Sequence, residues 1–129
     1  MVLVDSSVWV EVFRARRGVV LEDLLPFDDI VTCLPVIQEV LQGFRDEAAF
    51  RIAREAMAAL PIVDSPIPAE VFDRAVEVYR TARRAGITVR SSVDCLIAAS
   101  ALRHGLTVLH RDRDFDKLSQ VVPLQVRSV

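Results

Sequence analysis

The chain has 129 residues, 52% of them hydrophobic and 26% charged, and its formal net charge is −2. This length suits one domain with one core, and no uninterrupted apolar run approaches the roughly 18 residues that a membrane span needs. The composition argues against a disordered chain and against a protein that binds nucleic acid through overall positive charge. Any nucleic-acid binding must therefore be local.

Two further features bear on the compartment. The first residues, Met1 to Asp5, lack the basic segment that begins a secretory signal peptide, so we expect a cytoplasmic protein without membrane association. Cys33 and Cys95 stand in separate apolar stretches without the spacing of a zinc site. This placement favours two buried, reduced thiols.

The first half of the chain predicts alternating short strands and helices. A short apolar run over residues 2–4 predicts a strand, and Asp5, Ser6 and Ser7 lead from it into a helix over 8–13. The elements expected next are a helix over 20–25, a strand over 30–33, a helix that begins near Pro35 and ends near Gly43, a helix over 46–60 and a strand over 62–63.

The second half continues this alternation. It predicts a helix over 68–84, an alanine-rich helix that follows residues 91–94 and ends at Gly105, a strand over 107–110, a short helix after the turn at 111–115, and a last strand after Pro123. Strands that alternate with helices indicate an α/β sandwich with a mainly parallel sheet.

Four acidic residues stand in apolar surroundings where a predicted strand ends or a helix runs. Asp5 and Asp112 follow predicted strands, and in parallel α/β folds the carboxyl ends of the strands line the ligand crevice. Either residue could instead be only a helix cap. Asp5 would share that role with Ser6 and Ser7, and Asp114 competes with Asp112 for it.

The other two acids are Glu39 and Asp94. A helical wheel places Glu39 at the edge of an apolar face while Gln38 faces away, and an acid bordering a buried stripe costs energy unless it is paired. The alternative for Glu39 is a boundary residue that reaches solvent or an arginine. Asp94 could instead complete a capping box with Ser91.

Taken together, the four acids predict a divalent metal site. A hard cation prefers carboxylate oxygens, and like charges gathered in one crevice would repel each other without it. The sequence separations are compatible with convergence but do not establish it.

Three segments carry a family resemblance. They are VDSSVW at residues 4–9, LPVIQEVLQG at 34–43, and SSVDCLIAASALRHGLTVLHRDRDF at 91–115. Together they resemble the PIN-domain ribonucleases, specifically the VapC toxins of bacterial and archaeal toxin–antitoxin pairs. The resemblance implies one PIN domain over residues 1–129, an α/β/α sandwich with a mainly parallel five-stranded sheet and an acidic pocket for Mg²⁺, for which Mn²⁺ may substitute.

The resemblance also assigns roles to residues. The strand-end Asp of the family falls on Asp5, its helix Glu on Glu39, its helix-start Asp on Asp94 and its final acid on Asp112. These four would be the catalytic acids and metal ligands, with Glu39 acting directly or through water. Asp114 matches an additional acid with a supporting or second-metal role, Ser6 matches a residue that orients the pocket, and His110 departs from the family's usual Thr or Ser.

The implied activity is metal-assisted hydrolysis of RNA, with single-stranded or loop RNA and tRNA as candidate substrates. The implied partners are a small VapB-like antitoxin whose tail covers the acidic pocket, and a second copy of the chain, giving a homodimer and a toxin–antitoxin hetero-oligomer. The apolar helices over 8–13 and 46–60 offer surface for them.

Several basic residues could contact RNA phosphates, although solvated helix faces are the ordinary expectation. Arg90, close to Asp94, is the candidate RNA contact, and the others are Arg14, Arg16, Arg17, Arg80, Arg83 and Arg84. We expect His110 to be a half-buried packing residue and His104 to end a helix.

Three other functions stay open. The acids would equally serve a DNA nuclease, and a non-catalytic PIN-like module could bind RNA or protein. A phosphotransfer enzyme or phosphatase with Asp5 as nucleophile is disfavoured, because Ser7 stands where a second acid is usual and Lys117 is the only lysine.

Overall fold

A five-stranded parallel sheet organises the protein in the computed structural model, which describes residues 1–14 and 18–129. Its strands are β1 (Val2–Val4), β2 (Ile30–Cys33), β3 (Ile62–Val63), β4 (Thr107–His110) and β5 (Gln125–Ser128). Their order across the sheet is β3-β2-β1-β4-β5, and every pair of neighbours is parallel. The predicted α/β fold with a parallel sheet is confirmed.

Six α-helices connect or follow these strands in the described part of the chain. They are α1 (Ser6–Val12), α2 (Leu34–Gln42), α3 (Glu47–Ala58), α4 (Ala69–Arg84), α5 (Ser92–His104) and α6 (Arg113–Ser119). No helix within residues 1–14 and 18–129 is long and apolar enough to cross a membrane.

The order of the strands locates a crevice. The chain moves from β1 outward to β2 and β3, then returns to the other side of β1 for β4 and β5. Because parallel crossovers are right-handed, this reversal places helices on opposite faces and opens a gap beyond the carboxyl ends of β1 and β4. Asp5 follows β1 directly, and Asp112 lies two residues beyond β4.

The core lies around the central strands and the alanine-rich helix. Leu3, Val4, Val108 and Leu109 are fully buried, as expected for strands covered on two faces. Helix α5 packs against α4, and its small side chains are buried as well. Its left-handed C-cap, Gly105, has φ 63°, a conformation that glycine adopts without the steric cost of a side chain.

One predicted helix is wrong. Residues 20–25 form only a single 3-10 turn, Leu21–Asp23. Pro26 disfavours helical dihedrals at the residue before it, which limits the helix at Leu25. Val19, Leu21 and Leu25 are buried and attach this segment to the core. Arg16 and Arg17 of the predicted basic group lie outside the described residues.

Candidate metal centre

Asp5 is held at the end of β1 by the start of α1. As the N-cap of that helix, its Oδ2 accepts hydrogen bonds from the backbone N–H of Ser7 at 3.0 Å and from the Ser7 hydroxyl at 2.5 Å. Its Oδ1 is buried and has no hydrogen-bond partner among the described residues. Burial raises the pKa of Asp5, although the bonds from Ser7 oppose this. Asp5 therefore caps the helix through Oδ2, while Oδ1 is available to bind a cation.

Glu39 projects from the second turn of α2. It is half-buried, whereas Gln38 and Gln42 are exposed, as the helical wheel predicted. The Ser6 hydroxyl donates a hydrogen bond of 3.1 Å to Oε1 of Glu39. Burial raises the pKa of Glu39, and the negative charges of Asp5 and Asp112 add to this effect.

Asp94 stands in the first turn of α5 and is 5% exposed. The helix is capped by Ser91, whose Oγ accepts from the Val93 N–H at 3.2 Å. Val93 is the second residue of the helix, whereas a capping box would use the N–H of Asp94, and among the described residues Asp94 returns no hydrogen bond to Ser91, so the possible capping box does not form. Burial raises the pKa of Asp94 to about 8, with further contributions from the surrounding carboxylates. The carboxyl group of Asp94 therefore takes no part in capping the helix and is available to bind a cation.

Asp112 and Asp114 begin α6. Asp112 is the N-cap, and its Oδ1 accepts from the Asp114 N–H at 3.0 Å. Asp114 is only 1% exposed, yet the side chain of Arg90 contacts both Asp112 and Asp114. Arg90 places Nη2 at 3.4 Å from Asp112 Oδ1, and its Nε and backbone N each lie 3.3 Å from Asp114 Oδ2. Arg90, the candidate RNA contact, thus contacts two of the acids directly.

The five carboxylates form two groups that share Asp94. One group is Asp5, Glu39 and Asp94, and the other is Asp94, Asp112 and Asp114. Within each, one oxygen from every residue lies within 4.8 Å of the others. An all-oxygen donor set suits a hard divalent cation. The unpartnered, buried Oδ1 of Asp5 requires a cation or a proton, so the residues present fit a divalent metal ion.

His110 was expected to be half-buried, and this is wrong because its side chain is completely buried. Its Nδ1 accepts a hydrogen bond of 3.1 Å from the Asp112 N–H, and its ring centroid lies 5.5 Å from that of Phe115. Its Nε2 lies 3.2 Å from Oδ1 of Asp116. His110 therefore supports the turn that carries Asp112.

The other basic and histidine candidates lie elsewhere. His104 is the last residue of α5, as predicted, and its Nε2 lies 2.9 Å from Asp64 Oδ1. Arg14 pairs with Glu11 at 3.2 Å. The remaining described members of the predicted basic groups are exposed near the end of α4: Arg80, Arg83 and Arg84.

Sequence reasoning missed two supporting residues. The sequence predicts Ser7 as a cap, but its hydroxyl also donates a hydrogen bond to Asp5 and accepts one from the Arg111 N–H at 3.0 Å. Lys117 places Nζ at 3.7 Å from Asp114 Oδ1. The spacing of Lys117 three residues after Asp114 on one helix was a usable signal. No local sequence signal predicts the contact between Ser7 and Arg111, because 104 residues separate them.

Comparison with known sequences places this geometry in a family. A model of the PIN domain matches residues 2–121. The chain is 42% identical to a protein named ribonuclease VapC11 from Mycobacterium tuberculosis, over 99% of this chain and 98% of that one. It is 32% identical to ribonuclease VapC18 of the same organism, over 92% of this chain and 87% of that one.

Solved structures show the same fold. The chain superposes on a chain of VapBC2 from Rickettsia felis with a TM-score of 0.79 at 14% identity, covering 100% of this chain and 99% of that one. For VapBC-5 from M. tuberculosis the TM-score is 0.72 at 23% identity, with coverage of 99% and 98%. The resemblance noted from the sequence is confirmed, and the chain belongs to the PIN-domain family, within its VapC group.

Proposed function

We propose that this protein is a metal-dependent endoribonuclease that acts as the toxin of a type II toxin–antitoxin pair. The observation that carries the proposal is the pair of carboxylate groups joined at Asp94, beside the point where the strand order reverses. The names of the VapC relatives, which describe them as ribonucleases, support the same activity.

In this proposal the metal is Mg²⁺, with Mn²⁺ as a substitute, and Asp5, Glu39, Asp94 and Asp112 are its ligands, Glu39 directly or through water. The bound ion would activate water for attack on the phosphodiester and stabilise charge on the phosphate. The chain's own contribution is to hold the oxygens in place. Ser7 orients Asp5, and Ser6 orients Glu39.

Asp94 links metal binding to a proton. With a pKa raised to about 8, its carboxyl holds a proton at neutral pH until a cation replaces it. Asp94 would then become the shared anionic ligand between the two groups. No serine, cysteine or histidine nucleophile is needed for this chemistry.

The acidic pocket repels phosphate, so binding of RNA requires positive charge around it. Arg90 has a side chain that is 73% exposed, and Arg111, at 42%, follows the strand that ends beside the acids. We propose Arg90 as an RNA contact on this basis. Single-stranded or loop RNA, including tRNA, is the proposed substrate class.

The proposed partners are a VapB-like antitoxin and a second copy of the chain. The segments predicted to bind them meet in an apolar cavity of about 320 Å³, lined by Trp9, Val12 and Phe13 from α1 and its end and by Ala56, Ala59 and Leu60 from α3 and its end. Neighbouring structures described as VapBC complexes support an antitoxin partner.

For self-association we propose a second surface. Phe72, Val76 and Tyr79 are 48%, 57% and 40% exposed and share one face of α4, at the spacing of successive helical turns. With Leu96 they line a groove of about 660 Å³ between α4 and α5. An apolar surface of this kind on a small domain is typical of a protein interface.

We also propose that residues 1–129 form one domain in the cytoplasm. Strand β5 lies beyond the matched range 2–121, yet it pairs with β4 and completes the sheet. A nuclease that acts on cellular RNA would work in the cytoplasm.

The deciding experiment measures cleavage of a single-stranded RNA, a hairpin RNA and total tRNA by purified protein. We expect cleavage with Mg²⁺, none with excess EDTA and none by the folded Asp94→Asn variant, with circular dichroism as the control for folding. A DNA oligonucleotide of the same sequence separates the two nuclease classes. Cleavage that survives EDTA, or cleavage of the DNA alone, would contradict the proposal.

A further inference from the structure

Arg90 contacts the second carboxylate group through three separate atoms. Its Nε and backbone N both point at Oδ2 of Asp114, each at 3.3 Å, and its Nη2 lies 3.4 Å from Oδ1 of Asp112. Lys117 faces the other oxygen of Asp114 at 3.7 Å. A guanidinium remains charged at any pH that a protein tolerates, so this group carries a permanent counter-ion.

The first carboxylate group has no such counter-ion. Within the described ranges no ion pair at 4.0 Å or less involves Asp5, Glu39 or Asp94. Instead, Glu39 accepts a hydrogen bond from the Ser6 hydroxyl, and Asp5 accepts from the hydroxyl and the backbone N–H of Ser7. The two adjoining carboxylate groups therefore differ in their counter-ions: basic side chains pair with Asp112 and Asp114 in the second group only.

A guanidinium and a small metal ion compete for the same oxygens. Mg²⁺ requires ligand oxygens at about 2.1 Å in a near-octahedral arrangement. The Oδ2 of Asp114 already accepts two N–H donors from Arg90. The Asp114 side chain is only 1% exposed, so water has little access to it. Its Oδ1 is buried without a hydrogen bond in the described structure. Removal of the Arg90 side chain would leave this buried carboxylate with only the more distant Lys117 beside it, and a metal ion could then take the place of the guanidinium.

We propose that Arg90 is a built-in second cation: it pairs with Asp114 and with Oδ1 of Asp112, so that the chain binds one divalent ion, at Asp5, Glu39, Asp94 and the other oxygen of Asp112. The inference rests on the metal binding in the proposed function and adds the number of ions and the residue that sets it. Arg90 is in this sense a positioning residue, because it fixes which carboxylates are available.

The test counts bound Mn²⁺ per chain from the electron paramagnetic resonance signal of the free ion during titration. We expect one ion for the wild type, one for Arg90→Lys, which keeps a positive charge, and two for Arg90→Ala. The double variant Arg90→Ala with Asp114→Asn should return to one ion. Arg80→Ala, at an exposed arginine of α4, is the matched control and should bind one ion.

Two results would overturn the inference while leaving the proposed function intact: two ions in the wild type, or one ion in Arg90→Ala. No Mn²⁺ bound by any variant would overturn both. Because the Arg90 side chain is 73% exposed, its truncation should leave the fold intact, and circular dichroism of each variant checks this.

Discussion

The hydroxyl of Ser6 donates a hydrogen bond of 3.1 Å to Oε1 of Glu39 and thereby joins α1 to α2 across 33 residues of sequence. The two helices carry different acids of the same group, since Asp5 caps α1 and Glu39 belongs to α2. The bond therefore fixes one carboxylate relative to the other, which is the function of an outer-shell partner in a metal site.

Removal of that hydroxyl should weaken metal binding without unfolding the protein. For Ser6→Ala we expect a loss of about 10- to 100-fold in Mn²⁺ affinity, the range found when the partner of a metal ligand is lost. Calorimetric titration measures it. Ser6→Thr keeps the hydroxyl and should remain close to the wild type; equal losses in both variants would contradict the role given to the hydrogen bond.

Asp94→Asn should separate activity from stability. Because Asp94 is the residue common to both carboxylate groups, its loss should reduce RNA cleavage by more than the roughly 100-fold upper cost of a lost supporting residue. The same change removes a buried charge among like charges, so the metal-free variant should melt at a higher temperature than the wild type near pH 8. A lower melting temperature in EDTA would show that Asp94 has a stabilising partner.

Stability of the metal-free protein should fall as pH rises. The pKa of folded Asp94 is raised to about 8, above the value of about 3.9 for an unfolded chain, so between these values the folded state holds a proton that the unfolded state releases. The free energy of unfolding contributed by this group is therefore largest at low pH and is lost as pH rises through the folded pKa. Urea denaturation in EDTA at about pH 5 and pH 8 measures the difference.

Two comparisons identify Asp94 as the source of that dependence. Asp94→Asn should have a smaller difference between the two pH values than the wild type, and saturating Mg²⁺ should remove the loss at high pH by replacing the proton. A pH profile of Asp94→Asn that matches the wild type would assign the effect to other groups, such as Asp5 and Glu39, whose pKa values are also raised.

The antitoxin surface can be tested apart from the active site. Ala56 is an exposed residue of α3 that lines the apolar cavity, and Ala58 is exposed on the same helix outside that lining. We expect Ala56→Arg to abolish binding of the cognate antitoxin and to leave RNA cleavage by the free protein unchanged. Ala58→Arg is the matched control. Equal binding of the antitoxin by both variants in a calorimetric titration would show that the antitoxin binds at another surface.

The α4 surface should control self-association. A charge in place of Val76, which is 57% exposed, would have to be desolvated in an apolar interface. Light scattering should therefore give twice the chain mass of 14.4 kDa for the wild type and the single mass for Val76→Arg. Asp73→Arg, at another exposed position of α4, should stay dimeric, and a Val76→Arg dimer would exclude this surface.

Periodicity predicted the parts of the site that depend on single elements. The sequence predicts Glu39 because an acid at the edge of an apolar helix face is unusual within α2, and it predicts Asp5 because that residue ends an apolar run. The rest depends on neighbours distant in sequence. Arg90 contacts acids that are 22 and 24 residues away, and His110 is fully buried by packing that its own segment does not specify.

Apart from residues 20–25, the sequence by itself determined the order of strands and helices, the parallel sheet and the family, because these follow from local patterns of apolar, capping and turn residues and from motifs in a fixed order. It also supplied the acids. Only the tertiary structure decided that they form two groups sharing Asp94 and that Arg90 pairs with Asp112 and Asp114 in one of them. The physical reason is that electrostatic interactions depend on distances in space, which the strand order creates by placing β1 beside β4.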